Sequence, residues 1–396
     1  MGLGACSLTP YRYEPLDRFA IEDRAVQQET GDLTVRAWVP SVEEAERMFG
    51  VPLHQRGIQP VWLEIANHAD VRARLIISSL DREYFPPLEV AYLHKKQFSK
   101  QGWMDMEAYL HDNAMPRIIP ARGRESGFVF THLTTGTKAF NVDIFHADDR
   151  DDYAQFSFFI EVPGFVPDHA EIDFKTLYSS DTVEDLDRDS LRAWISDLPC
   201  CTTDRSGVKQ GWGIEVFLVS PGRDLLQALL RAGWSETSYE RNDAYLDNAD
   251  YLFGRPPDTV FRKGRDRVIE RNELALWMAP VRVDGQPLWV AKLKHPVGRR
   301  YEIGERFLTV QLDPDVSEGR NYLLQDFWYA QSLAAYAWST TGKVVTEDQP
   351  ERDFRKNEWF ADGARLVMWI SGPPLDLTEV EAIEWDQVIQ REGKSP

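Results

Sequence analysis

Hydrophobic and polar positions follow two regimes along the chain. From Gln59 onward, Val61, Leu63 and Ile65 alternate with Trp62 and Glu64, the period-two pattern of a strand. Arg72–Ser78 is a second such stretch. Asn67-His68-Ala69-Asp70 between them supplies turn residues, so the pair reads as a hairpin. Further strands are predicted at Gly127–His132, Lys138–Ile144 and Tyr153–Val162, with Gly136 in a hairpin turn between the first two. A short helix precedes them. Ser41-Val42-Glu43-Glu44 has the form of a capping box, Ala45, Met48 and Phe49 are its apolar positions, and Gly50 ends it. Many short strands with little helix predict an all-β N-terminal domain, an immunoglobulin-like β-sandwich over residues 21–167.

The pattern then changes. Residues 168–212 are acidic and poorly periodic and read as a linker, in which Thr182–Ser196 carries Leu186, Leu191 and Trp194 at helical spacing. A strand follows at Trp212–Val219. Asp224–Ala232 reads as an amphipathic helix through Leu225, Leu226, Leu229 and Leu230, stopped by Gly233. Trp277 and Trp289 lie in two strands around Val283-Asp284-Gly285-Gln286, where Asp-Gly is a strong hairpin signal. A helix over Val316–Tyr329, with Leu323, Leu324 and Phe327 inward, and a strand at Leu366–Ile370 complete the series. Helices and strands without strict alternation predict an α+β C-terminal domain over residues 213–375, with a tail at 376–396.

Composition narrows the partners. The 396 residues suggest two or three cores, and 43% hydrophobic content with 13 Trp and 20 Phe supplies them. The formal charge of −19 repels phosphate backbones, so nucleic acid is not expected as a partner. No apolar run reaches the roughly 18 residues of a spanning helix.

A different membrane link is suggested at the start, residues 1–20. Leu3-Gly4-Ala5-Cys6 resembles a lipobox, in which two small residues precede the Cys that receives lipid. Ser7–Asp17, rich in Pro and polar residues, reads as a tether. Only five residues precede Cys6, fewer than a basic and apolar leader needs. Ser7 after the Cys resembles lipoproteins sorted to the outer membrane. The expectation is a bacterial envelope protein held by lipid on Cys6 and facing the periplasm or the cell surface. The competing reading is a cytoplasmic protein with an accidental lipobox. The other two cysteines, Cys200 and Cys201, are adjacent. They either close a vicinal disulfide or stay as free thiols.

Several ordered segments resemble the LssY C-terminal domain. They are Arg223–Trp234, Arg271-Asn272-Glu273-Leu274-Ala275-Leu276-Trp277, Asp284–Val290 and Leu312–Val316, together covering roughly residues 213–371. Leu198–Thr203 and Gly127–Phe130 look like lipoprotein members of that family. One departure stands out. Phosphatase-fused members have a His-Leu-Arg-Leu-Trp run where this chain has Glu273–Trp277, so a role for that His does not transfer. The resemblance implies no established activity.

The candidate sites are few. Lys263, Arg271, Arg299 and Arg300, with His295, would form a basic pocket for an anion if the fold gathers them; scattered surface charge is the alternative. Asp313 and Asp315 are the candidate catalytic carboxylates, although Asp315 or Ser317 also suits the cap of the following helix. Asp313–Gly319 departs from a calcium loop in the positions of its Gly and final acid, and the acid run His146–Asp152 matches no metal loop and carries Arg150 within it, so neither metal nor cofactor is expected. Nucleophile-elbow, zinc-protease and phosphate-loop motifs are absent. The reading that follows is a non-enzymatic binding or scaffold protein for an envelope partner or an anionic ligand; the alternative is an envelope hydrolase using Asp313 and Asp315.

Overall fold

The computed structural model describes residues 9–15, 18–146, 153–264, 271–300 and 309–385. Cys6, the run 147–152 and the end of the tail lie outside them. The chain divides into two compact units at Phe165/Val166, both rich in strand.

The first unit holds two four-stranded antiparallel sheets. One contains β1 (Val26–Thr30), β2 (Leu33–Trp38), β3 (Ile58–Asn67) and β6 (Arg124–His132), in the order β1-β2-β3-β6. The other contains β4 (Ala73–Ile76), β5 (Ile118–Ile119), β7 (Thr137–His146) and β8 (Tyr153–Glu161), in the order β5-β4-β7-β8. Val35, Val61, Leu63 and Ile65 of the first sheet share a core with Leu75, Val142, Ile144, Phe156 and Phe158 of the second. All ten residues of β3 are buried, which one packed face cannot achieve. The second face of its sheet is covered by helices: α1 (Arg18–Glu22), α2 (Val42–Phe49), α3 (Pro87–His94) and α4 (Lys100–Asp112), which pack Ile21, Phe49, Val90, Met106 and Leu110 against Trp38, Trp62 and Phe128.

The α2 helix begins as expected. The Glu44 amide donates to Ser41 Oγ (3.1 Å), the Ser41 amide donates to the Glu44 carboxylate (2.9 Å), and Gly50 closes the helix at φ 63°. Two expected hairpins are corrected. β3 and β4 lie in different sheets, and so do β6 and β7, so the turns at 67–72 and around Gly136 carry the chain from one sheet to the other. A short polar turn serves either purpose, and periodicity does not distinguish them. The helices α3 and α4 were not foreseen.

The stretch expected to be a tether is in part docked. Thr9 forms a parallel bridge with Phe98, and the Glu14 amide donates to Arg47 O (2.9 Å). The Tyr11 ring lies 5.7 Å edge-on to Phe98, and its hydroxyl donates to Phe49 O (2.9 Å). Two glycines make room. A Cβ on Gly102 would stand 2.9 Å from Tyr11 N, and one on Gly50 1.9 Å from Arg12 O.

The second unit is organised by a mixed nine-stranded sheet. Leading into it are β9 (Glu184–Leu186) and a separate pair, β10 (Cys201–Thr203) with β11 (Gln210–Gly213). The sheet continues with β12 (Val216–Val219), β13 (Ser235–Glu236), β14 (Thr259–Gly264), β15 (Arg271–Val283) and β16 (Gln286–Lys294). The hairpin β17 (Pro296–Arg300) and β18 (Thr309–Leu312) stands apart, as do two-residue strands β20 (Val344–Val345), β21 (Glu351–Arg352), β22 (Glu358–Trp359) and β23 (Ala361–Asp362). β19 (Leu333–Ser339), β24 (Arg365–Ile370) and β25 (Glu381–Ile383) complete the sheet, whose order is β13-β14-β15-β16-β12-β24-β19-β25, with β9 parallel to β15.

Both faces of this sheet are covered. Along β12, Val216 and Leu218 pack with Leu225 and Leu229 of α6 (Gly222–Arg231) and Leu323 and Phe327 of α8 (Val316–Tyr329). Phe217 and Val219 point the other way, to Leu191 and Ile195 of α5 (Arg188–Asp197). The α8 helix matches its expected span, and the Asp284-Gly285 turn has φ of 50° and 78° between β15 and β16, as the dipeptide requires.

The expected linker is not one. Its segment 184–186 is β9 rather than helix, Asp187 caps α5 by accepting from the Ser190 amide (2.8 Å), and α5 belongs to the core. The tail contributes β25.

Candidate functional site

A cavity of about 750 Å³ opens in the second unit on the α6 side of the sheet. Its walls are mostly apolar, with Leu226 of α6, Phe261 of β14, Leu276 and Met278 of β15, Trp289 of β16, and Phe174 from the segment before β9. Leu226 and Phe174 are only half-buried, so part of the cavity's own lining is open to solvent.

The wall is shaped by an irregularity in β15. Pairing with β16 shifts register between Met278 and Arg282, and Ala279 and Val281 from this stretch line the cavity. A bulge releases backbone groups from the ladder, and buried groups must find other partners. Here side chains supply them. Met278 N donates to Asp258 Oδ2 (2.7 Å), and Met278 O accepts from the Tyr178 hydroxyl (2.8 Å) and Arg255 Nη2 (2.6 Å). Arg255 grips Asp258 with both arms of its guanidinium, at 2.8 and 2.9 Å. Burial pushes the Tyr178 hydroxyl above its ordinary value, which keeps it a donor.

Charge collects around this apolar interior. Lys175, Arg223 and Arg282 line the cavity and are exposed, and none has a carboxylate within ion-pair distance among the described residues. The start of α6 adds to them. Gly222 lines the cavity, and the N-cap of α6 is Pro221, which has no side-chain oxygen for the first-turn amides. These amides and the helix dipole favour an anion. Asp185 also lines the cavity, with one oxygen taken by the Gly285 amide (3.0 Å).

Among the described residues, those singled out from sequence as sites do not line this cavity. Lys263 is ion-paired to Asp326 and also donates to Ala232 O. His295 Nδ1 lies 2.6 Å from Asn272 Oδ1. Lys263 stands opposite Asn272 across β14–β15, so the fold brings Lys263 and His295 into one neighbourhood through Asn272. The backbones of Arg271, Arg299 and Arg300 lie in β15 and β17, while their side chains are outside the described residues. Asp315 caps α8 by accepting from the Ser317 and Glu318 amides (2.9 and 3.2 Å), and Asp313 accepts from the Asp315 amide (3.1 Å). Burial, with Asp313 adding to it, raises the Asp315 carboxyl. Neither acid lines the cavity. Cys200 and Cys201 are joined by a disulfide, with sulfurs 2.21 Å apart. Among the described residues no cluster of His, Cys, Asp and Glu is arranged to hold a metal.

Two buried carboxylates on this unit have opposite surroundings. Asp250 accepts from Thr202 Oγ1 (2.9 Å) and pairs with Lys292, Lys294 (3.1 Å) and Arg355 (3.3 Å). Burial opposes its charge, but the three cations outweigh it and hold the carboxyl well below its usual range. Glu215 has Arg320 at 3.1 Å, but that guanidinium also serves Asp362 at 2.8 Å. Burial therefore prevails, and Glu215 is pushed up to about 8.

The cavity was missed from sequence because its walls come from separate segments spread between His169 and Trp289. One signal was readable: Pro221-Gly222-Arg223, an uncapped helix start beside a cation. Residues 248–364 match the family described as LssY C-terminus, and this bears out the resemblance seen in the segments around Trp277 and Trp289. No curated protein matches the chain.

Proposed function

We propose that this chain, whose LssY C-terminal region forms much of the second unit, is a cell-envelope lipoprotein that binds an amphipathic anion without transforming it. The supporting observation is the cavity: an apolar interior of about 750 Å³ edged by Lys175, Arg223 and Arg282 in a protein of charge −19. An apolar chain suits the interior, and a carboxylate or phosphate suits the cations and the start of α6. Fatty acids and lysophospholipids share this chemistry. Anchoring through lipid on Cys6, in an outer membrane, is the part of the reading drawn from the lipobox-like start.

The first unit is, in this reading, an immunoglobulin-like spacer. The order β2-β3-β6 facing β5-β4-β7-β8 agrees with an A-B-E sheet facing C′-C-F-G, with β1 added at the edge. The second unit is read as α+β, its mixed sheet carrying helices on both faces. The hydrolase alternative needs Asp313 and Asp315 free to act, and both accept backbone amides around the start of α8.

Calorimetric titration of the full chain with lysophosphatidylglycerol tests the binding role. Saturable binding at one site, with a negative heat-capacity change from apolar burial, is the expected result. Titration without saturation, or saturation unaffected by Leu226→Trp, rejects the cavity as the site. Turnover of the lipid that is abolished by Asp313→Asn or Asp315→Asn would replace binding with hydrolysis.

A further inference from the structure

We infer that the exposed surface of the first unit built from α3, the turn Lys95–Gln97 and the start of α4 rests against a bilayer with anionic headgroups. This deepens the anchoring reading and takes its orientation from it.

Large apolar side chains are left open here. Leu88 is 54% exposed, Tyr92 65% and Met104 46%. Leu88 and Tyr92 are four residues apart and share a face of α3, and Lys100 and Met104 do the same on α4. Lys95 joins the two helices at the surface, its Nζ 5.3 Å from the Tyr92 ring and 4.5 Å from the Trp103 ring. Lys95, Lys96 and Lys100 are all exposed, and none has a carboxylate within ion-pair distance among the described residues. The nearby acids on the same helices are Glu89, Asp105 and Glu107, and Asp105 accepts from Gln101 (2.8 Å). Apolar and aromatic side chains edged by lysines suit a membrane interface, where the rings sit among headgroups and the ammonium groups meet anionic lipid.

The path of the chain selects a bilayer over a protein partner. Thr9 Oγ1 donates to Gln97 O (3.0 Å), and the Ser99 amide donates to Thr9 O (3.2 Å). Thr9 is thereby held at the beginning of α4, among the lysines. Cys6 lies three residues upstream, and three extended residues span only about 10 Å. Acyl chains on Cys6 therefore enter a bilayer within that reach of this surface. In a chain of charge −19, the three lysines within residues 95–100 give this surface a local positive charge that anionic lipid can meet.

The test uses the full chain coupled through Cys6 to a maleimide phospholipid in vesicles of phosphatidylcholine, with or without phosphatidylglycerol. With Cys200 and Cys201 bridged, Cys6 is the free thiol. Tyr92→p-benzoylphenylalanine and Leu88→p-benzoylphenylalanine should give phospholipid photoadducts. Tyr153→p-benzoylphenylalanine, exposed on β8 of the other sheet, should not. Replacing Lys95, Lys96 and Lys100 by Glu should cut the Tyr92 adduct several-fold with phosphatidylglycerol present and leave it unchanged without it, circular dichroism confirming the fold. Equal adducts at positions 92 and 153, none at 92, or no effect of the lysine reversals each overturn the inference. The mass of the Cys6 peptide from native cells is a separate readout. An unmodified thiol there ends the anchoring reading, while the vesicle result still decides the surface.

Discussion

The two units leave apolar surface open in different shapes. In the first, Leu88, Tyr92 and Met104 stand out from a helical surface. In the second, Leu226, Phe261, Met278 and Trp289 turn inward around a cavity. Both are edged by cations that have no ion-pair partner among the described residues: Lys95, Lys96 and Lys100 in one, Lys175, Arg223 and Arg282 in the other. Shape separates what each can hold. An outward patch meets an extended surface, and a cavity encloses one molecule. The two proposals follow that difference of shape, attachment to lipid for the patch and capture of a single amphiphile for the cavity.

The sharpest division between the units is expected from pH. Glu215 has a native value of about 8 against an ordinary 4.5, so the native state binds the proton more strongly. Its stabilising contribution is complete below the unfolded value and is lost as pH rises toward 8. Between about pH 4.5 and 7 this removes at most roughly 3 kcal/mol from the second unit, and above about pH 6 the proton release of Lys292, lowered to about 7, works in the opposite direction. Glu215→Gln should flatten that slope in urea melts of the second unit and leave the first unit's transition where it was. Next in size is Leu226→Trp, which puts a bulky ring into the cavity. It should weaken lysophospholipid binding about a hundredfold, equivalent to roughly 2.7 kcal/mol, with photoadducts at position 92 unaltered.

Gly102→Val acts on the first unit alone. Its side chain would collide with Tyr11 N, so it should cost about 2 kcal/mol in thermal melts and expose residues 9–14 to protease. Arg223→Glu should weaken amphiphile binding about tenfold by calorimetry, roughly 1.4 kcal/mol. Unchanged affinity there would break the parallel between the two cationic edges. The smallest effect is expected from Ser41→Ala, which removes the α2 cap and should cost about 1 kcal/mol in the first unit without touching amphiphile binding.

Local chemistry was legible where one residue decides the backbone. Ser41 and Glu44 specify the start of α2, Asp284-Gly285 specifies the β15–β16 turn, and Asp315 marks the start of α8. What escaped was the choice of neighbour. Nothing between Asn67 and Arg72 says whether the next strand pairs with the last or crosses to the opposite sheet, because polar turns satisfy both paths. The acidic segment after Asp168 read as a linker carrying one helix, because its apolar residues are sparse, yet Leu191 and Ile195 of that helix are fully buried in the core of the sheet. Of the expected basic pocket, only Lys263 and His295 have described side chains. Asp326, distant in sequence, takes the ammonium of Lys263, a pairing that spacing along the chain does not reveal.

Arg365 ties the supposed linker to the sheet. Almost fully buried, its guanidinium donates to the carbonyls of Ile195, Leu198 and Pro199 (3.1 Å for the last two). Together with β9 and α5, this clasp makes residues 166–199 an integral piece of the second unit. The turn at Asp204–Val208, whose Val208 is 83% exposed, then becomes a place where the backbone can be severed while the pieces stay together. A nick there should leave two fragments that copurify under native conditions and separate in denaturant. The second unit would thus be a natural split-protein scaffold, with the division falling just beyond the paired cysteines.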